Sequence, residues 1–263
     1  MKRFFLTLFV PLTFFCFSAF AQTPCRVRVL TFNVMHGATI NRDFDIKKIS
    51  DIINRLQPDL VALQELDLNT GRSRKYYYDL ATELGYLTHM CAIFGKSIPY
   101  DGGSYGNGIL SKTPFIETKN VALPMPQPGE ARGLLQAVTV LPSGDTIRFV
   151  ATHFDVNNDN TNRLAQSQAV VKLIKNSNYS TIFAGDLNDT PQSAVIKNLE
   201  KVMKNTEAPD TKTLTFSSVK PERKIDYIFM YPKKKWKVIS TEAISDSVAS
   251  DHRAYFAVLE IEK

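Results

Sequence analysis

Thr181-Ile182-Phe183-Ala184-Gly185-Asp186-Leu187-Asn188 reads as a short strand that ends directly in a string of polar groups. The apolar run is too short for a helix, and Gly-Asp-x-Asn supplies turn chemistry. The same arrangement recurs along the chain. Leu60 to Leu63 run into Gln64-Glu65, Val27 to Phe32 end at Thr31-Phe32-Asn33, Phe149 to Ala151 lead into Thr152-His153, and Ser250-Asp251-His252 precede the run that begins at Tyr255. Any one such string is more often an ordinary turn, cap or surface pair. Those readings do not account for five strings at strand ends, which is where loops converge and sites gather in α/β sheets.

Around this pattern the chain alternates helices with strands. Ile46, Ile49, Ile53 and Leu56 fall at helical spacing, with Asp43 or Asp45 to start the helix and Pro58 to stop it. A second helix is predicted from Tyr76 to Leu84, closed by Gly85, and a third from Asn162 to about Lys175. Further strands are predicted at Gly108 to Leu110, Ile147 to Phe154, Ile225 to Met230 and Tyr255 to Ile261. Trp236-Lys237-Val238-Ile239, after three lysines, alternates like an edge strand. Pro99 to Gly108 and Pro124 to Gly133 are read as irregular connections, and Lys201 to Lys224 as a long loop with at most a short strand at Leu214 to Phe216. No linker divides the rest, so residues 22–263 are expected to form one α/β domain.

Residues 1–21 stand apart. Lys2 and Arg3 precede an apolar run from Phe4 to Phe17, and Ala19-Phe20-Ala21 gives a small-x-small cleavage pattern, so a signal peptide cut after Ala21 is expected. The mature chain is then secreted or periplasmic, with no later stretch that would insert stably in a membrane. The formal charge of +6 falls by two with Lys2 and Arg3, too mild to diagnose nucleic-acid binding. Cys25 and Cys91 remain; a disulfide and two separate thiols both stay open.

The residue types at the strand ends suit one task. Asn33, Glu65, Asp186, Asn188 and Asp251 are oxygen donors of the kind hard cations take, while His153 and His252 suit proton transfer and hydrogen bonds to a phosphoryl oxygen. Cation and imidazoles together fit water attack on a phosphorus ester.

The order Thr-Phe-Asn, Gln-Glu, Thr-His, Gly-Asp-Leu-Asn, Ile225-Asp226-Tyr227-Ile228, Ser-Asp-His resembles the endonuclease/exonuclease/phosphatase superfamily from Thr31 to His252. The resemblance implies a deoxyribonuclease-like α/β fold: a four-layer sandwich of two packed mixed β-sheets flanked by helices, with the site at one end. It implies that Glu65 and Asn33 hold Mg²⁺ or Mn²⁺, with Asp251 sharing that ion or a second one. Asp186 and Asn188 would position the attacking water and the phosphate. His252 would act on the phosphoryl oxygen or as general base, oriented by Asp226, with His153 on the other side of the phosphate.

Three more strings resemble subfamily patterns: Thr70-Gly71-Arg72-Ser73, Tyr105 to Ser111, and Glu130-Ala131-Arg132-Gly133. From them Arg72, Asn107 and Arg132 become candidate substrate-binding residues, with a surface salt bridge as the competing account of either arginine. Where apurinic endonucleases carry an acidic group two residues after the first Asn, this chain has Met35 and then His36, closer to secreted phosphodiesterase-type members and against a role in base-excision repair. The expected activity is a secreted metal-dependent phosphoesterase acting on a diester or monoester, with a small or lipid-derived substrate favoured. An extracellular nuclease is the first alternative, supported by the basic and aromatic run Arg72, Arg74, Lys75, Tyr76, Tyr77, Tyr78. A catalytically inactive phosphoester-binding protein is the second, and filled catalytic positions count against it.

Overall fold

The computed structural model describes Met1, residues 25–207, Asp210 and residues 213–262. Beyond Met1, the leader expected over residues 1–21 falls outside them. In chain order the first elements are β1 (Cys25–Asn33), α1 (Ile46–Leu56), β2 (Leu60–Leu68), α2 (Leu80–Thr88), β3 (Cys91–Tyr100), β4 (Gly103–Ser111), β5 (Phe115–Ala122) and β6 (Gly133–Val140). Then come β7 (Thr146–His153), α3 (Thr161–Lys175), β8 (Ser180–Asp186), α4 (Ala194–Glu200), β9 (Lys204–Asn205), β10 (Asp226–Tyr231), β11 (Trp236–Ala243) and β12 (Tyr255–Ile261).

The strands form two six-stranded mixed sheets, ordered β11-β12-β1-β2-β4-β3 and β5-β6-β7-β8-β10-β9. Alternation along each strand sorts the side chains. In the second sheet Leu135, Ala137, Ile147, Phe149, Ala151, Ile182 and Ala184 turn inward, meeting Val27, Val29, Leu60, Ala62, Ala257 and Leu259 of the first. The opposite faces are covered by helices: α1 and α2 lie on the first sheet through Ile49, Ile53 and Leu84, and α3 and α4 on the second through Val170, Ile174 and Leu199. The result is the expected four-layer sandwich. Phe149 lies fully buried between the sheets. Phe149→Ala is expected to lower stability by about 3–5 kcal/mol, the range for truncating a core Phe, read as a lower urea midpoint at unchanged slope.

Several sequence expectations hold closely. α1 starts after Asp45 and ends just ahead of Pro58, α3 begins at Thr161, and β11 is an edge strand. Others need correction. Pro99 to Gly108 is no irregular loop but the turn and arm of the β3–β4 hairpin. A Cβ at Gly106 would lie 2.0 Å from the Gly95 carbonyl oxygen, and one at Gly103 2.3 Å from that of Leu68, so glycine sits in this strand because backbones approach closely. The second helix begins at Leu80, four residues later than predicted, because the Asp79 side chain accepts from the backbone N–H of Ala81 and Thr82. Gly85 lies inside it and His89 closes it in the left-handed conformation. Phe216 makes only isolated bridges, to Arg223 and His252. Two strands separate Cys25 in β1 from Cys91 in β3, about 14 Å by strand spacing, and no disulfide joins them. Among the described residues, no helix is long and apolar enough to cross a membrane.

Candidate active site

The parallel pairs β1–β2 and β7–β8 set Asn33 beside Gln64 and His153 beside Asp186. Two backbone devices aim the carboxylates. The β2–β4 register slips between Leu63 and Leu66, a bulge in which Glu65 takes a left-handed φ of 62°. Such a bulge re-aims one side chain out of the sheet's alternation. At the end of β8, a Cβ on Gly185 would stand 2.1 Å from the Thr152 carbonyl oxygen, so the strands approach closely at the residue before Asp186. Asn188 then folds back in a left-handed turn, its N–H donating to Asp186 Oδ1 at 2.9 Å.

Asp186 is the hub. Its Oδ2 accepts from Asn33 Nδ2 at 3.2 Å and lies 3.4 Å from His153 Nε2 and 3.6 Å from His252 Nε2. Asn33 Nδ2 also donates to Glu65 Oε1 at 3.0 Å. Behind His252, Nδ1 meets Asp226 Oδ2 at 3.0 Å, and the Phe216 ring packs against the imidazole at 4.9 Å between centroids. Ser250 ties the last motif to the first: its hydroxyl donates to the Asn33 carbonyl at 2.7 Å and accepts from His252 N–H at 3.2 Å. Asn188 Nδ2 lies 2.9 Å from His153 Nε2 and donates to the Phe154 carbonyl at 3.1 Å. The direction of that contact turns on the His153 tautomer, and the ring's Nδ1 is buried without a hydrogen-bond partner.

The two imidazoles are pushed in opposite directions. Burial works against charge on His252, but Asp226 and Asp186 outweigh it and raise its pKa to about 10. Burial drives His153 well below its ordinary value, and nearby Arg132 adds to this. Burial, with Asp226 beside it, raises Asp186 against the opposing pull of His252. Glu65 goes the other way: burial opposes its ionisation, yet His36, His153 and Asn33 bring its pKa down to about 2. The site thus holds one charged and one neutral imidazole, a division that separates acid from base roles.

A cavity of about 350 Å³ opens over these groups, lined by Glu65, Arg132, His153, Asp186, Asn188, Asp251 and His252. Asn33 and Asp226 support it from below. Arg132 is 5% exposed, pairs with Glu130 at 2.9 Å and leaves its Nε without a partner. The structure does not bring the remaining two candidates into the cavity. Asn107 Nδ2 donates to the Gly133 carbonyl, which also accepts from Thr152, so it braces β6 beside Arg132. Arg72 grips buried Asp67 through two bonds of 2.7 and 2.8 Å and stacks over Tyr100 at 4.5 Å. The motifs give no role to Phe216 or Arg223, which also line the cavity, Arg223 lying over the Phe216 ring at 4.8 Å. The available signal was a lone arginine three residues ahead of Asp226.

The donor set fits a hard divalent cation. Four carboxylates, Glu65, Glu130, Asp186 and Asp251, line one cavity; Glu130 is paired with Arg132, and neighbouring His36, His153 and Asn33 favour the ionised form of Glu65. The tightest acidic and His cluster among the described residues, Asp186, Asp226 and His252, fits a cation less well, because both ring nitrogens of His252 already face carboxylates.

Comparison with known proteins supports the fold and the family. The chain is 25% identical over 246 residues to the uncharacterized protein YbhP of Escherichia coli (strain K12), covering 82% of this chain and 93% of that one. An endonuclease/exonuclease/phosphatase structure from Bacteroides vulgatus superposes with a TM-score of 0.72 at 21% identity, covering 90% of this chain and all of that one. A mannosyl-6-phosphatase of Bacteroides thetaiotaomicron VPI-5482 superposes at 0.68 with 15% identity, covering 89% of this chain and 99% of that one. These likenesses carry the fold. The model of the endonuclease/exonuclease/phosphatase family matches residues 30–252, every strand-end motif included, and the chain belongs to that family.

Proposed function

We propose that this chain is an exported, divalent-metal-dependent phosphoesterase that hydrolyses a small phosphoester. The carrying observation is the pair of imidazoles facing one carboxylate, Asp186, at the floor of a cavity of about 350 Å³. That volume suits a small ligand. In this reading Asp186 takes the proton of the attacking water, with Asn188 fixing the carboxylate. His252, its Nδ1 held by Asp226, directs its Nε2–H at a phosphoryl oxygen as charge develops there. His153 contacts the phosphate from the opposite side, and Arg132 brings a buried guanidinium suited to a phosphate oxygen. Mg²⁺ or Mn²⁺, held by Glu65, Asn33 and Asp251, would polarise the phosphoryl oxygen and stabilise charge on the leaving group. Export rests on the leader pattern of residues 1–21, removed after Ala21.

The nuclease alternative loses part of its support, although Lys75, Tyr76 and Tyr78 stay exposed. Within the Arg72 to Tyr78 run, Arg72 is committed to Asp67 and Arg74 donates to the Thr70 and Asn69 carbonyls. Tyr77 is buried with its hydroxyl donating to the His36 carbonyl, and Tyr76 stacks on Phe44. The test is hydrolysis of p-nitrophenyl phosphate, bis-p-nitrophenyl phosphate, plasmid DNA and sphingomyelin by the mature chain. Turnover of a small ester is expected to vanish in EDTA, return with Mg²⁺ or Mn²⁺, and vary little between 50 and 200 mM salt. Cleavage of DNA alone, with the steep salt dependence of several phosphate contacts, would overturn the small-ester reading.

A further inference from the structure

The outer face of the second sheet carries a separate cavity of about 420 Å³. Gln136 pairs in register with Lys119 of β5 on one side and Val150 of β7 on the other, and Val138, two residues on, pairs with Arg148. Alternation therefore puts Lys119, Gln136 and Arg148 on the same face, and Lys172 of α3 completes the wall. This cavity shares no lining residue with the catalytic one. Arg148 lies five residues before His153 on β7, about 16 Å along an extended strand.

Its chemistry is one-sided. Lys119, Arg148 and Lys172 face a single carboxylate, Glu117, and none of the three is ion-paired among the described residues. Arg148 is held only by its position over the Tyr179 ring at 5.4 Å. Between them Gln136 is 5% exposed, and its Nε2 has no hydrogen-bond partner. A buried donor left unmade destabilises the fold. Gln136 Nε2 is closed to solvent as it stands, so a ligand would draw the amide toward the cavity, and an anion would also offset the mutual repulsion of three cations.

We infer that this cavity binds a phosphate-type oxyanion, with Lys119, Arg148 and Lys172 supplying charge and Gln136 Nε2 the buried donor that fixes its position. The inference does not depend on the proposed reaction. Gln136 lines the same cavity from the sheet floor, and its amide, turned toward it, would bond the anion that the cations hold from the walls.

The test is calorimetric titration of the mature chain with inorganic pyrophosphate in EDTA, on wild type, Lys119→Ala/Lys172→Ala, Gln136→Leu and Arg132→Ala. One site is expected in wild type, weakened about tenfold or more in the first two variants and unchanged in Arg132→Ala. Lys119 and Lys172 are exposed, so the double variant should fold. Its unliganded Tm is expected to equal or exceed that of wild type, since unpaired like charges are removed. Absence of binding in wild type would overturn the inference. So would binding lost in Arg132→Ala yet retained in the two cavity variants, or a lowered Tm in the double variant with unaltered affinity, which would give the lysines a structural role.

Discussion

His252→Ala is expected to lower kcat by about a thousandfold or more, measured on whichever ester the mature chain turns over with metal restored. The imidazole is fixed at three points: Asp226 holds Nδ1, Phe216 covers one side of the ring, and Ser250 holds the backbone N–H. No neighbouring group can replace an Nε2–H placed this way. Asp226 would lose its partner in the variant, and its Oδ1 is already without a hydrogen bond. A loss of about 1–3 kcal/mol in stability is therefore expected. Asp226→Asn should cost less activity than His252→Ala. Combining Asp226→Asn with His252→Ala should add little to the His252→Ala loss, since the two act as one unit. A near-native rate in His252→Ala, or full additivity in the double variant, would remove His252 from the role proposed for it.

Asp186→Asn should remove about as much activity for a different reason. The substitution keeps shape but replaces one acceptor oxygen with an NH₂ group. Both carboxylate oxygens now accept, Oδ1 from Asn188 N–H and Oδ2 from Asn33 Nδ2, so either orientation of the amide sets donor against donor. The proton acceptor proposed for the attacking water is lost, and of the carboxylates that favour the charged form of His252 only Asp226 and Asp251 remain. Folding should suffer little, because the variant also removes a buried charge whose desolvation opposes the fold. The expected outcome is a loss of about a thousandfold in kcat with a Tm near that of wild type. A folded Asp186→Asn with wild-type turnover would mean that the water is activated elsewhere. If this variant unfolds, Asn188→Ala offers a second measurement: it frees His153 Nε2 and the Asp186 backbone contact persists, so a smaller kcat loss is expected with the fold intact.

How much of this was legible depends on whether the signal was local. α1, α3 and β11 are decided by periodicity and a nearby stop, and their placement follows the sequence closely. The signal that ends the misreading of α2 is present in the chain: Asp79 is a strong cap, but Tyr76 and Tyr77 stand at helical spacing from Leu80 and Leu84 and extend the period ahead of it. β3 and the first half of β4, ahead of the predicted Gly108 to Leu110, were hidden because Gly95, Pro99, Gly103 and Gly106 lower strand propensity, while close packing against Gly95 and Leu68 makes glycine the residue that fits.

The motifs of Asn33, His153 and Asp186 were likewise legible as an apolar run ending in a polar string, and His252 as a polar string ahead of one, whereas Glu65 lies inside β2, where a bulge and not a strand end aims it. What the sequence could not determine is which arginine faces the cavity. Arg72 and Arg132 looked alike as candidates, yet Arg72 turns to buried Asp67 while Arg132 lines the site, and Arg223 arrives unannounced beside Phe216. Their partners lie 5, 2 and 7 residues away in sequence, but the choice between partner and cavity is made by strands and loops that meet only after folding. A charge on a long side chain goes wherever tertiary packing leaves its counter-charge. The strand ends were therefore legible from the chain, and the walls of the cavity were decided by the fold.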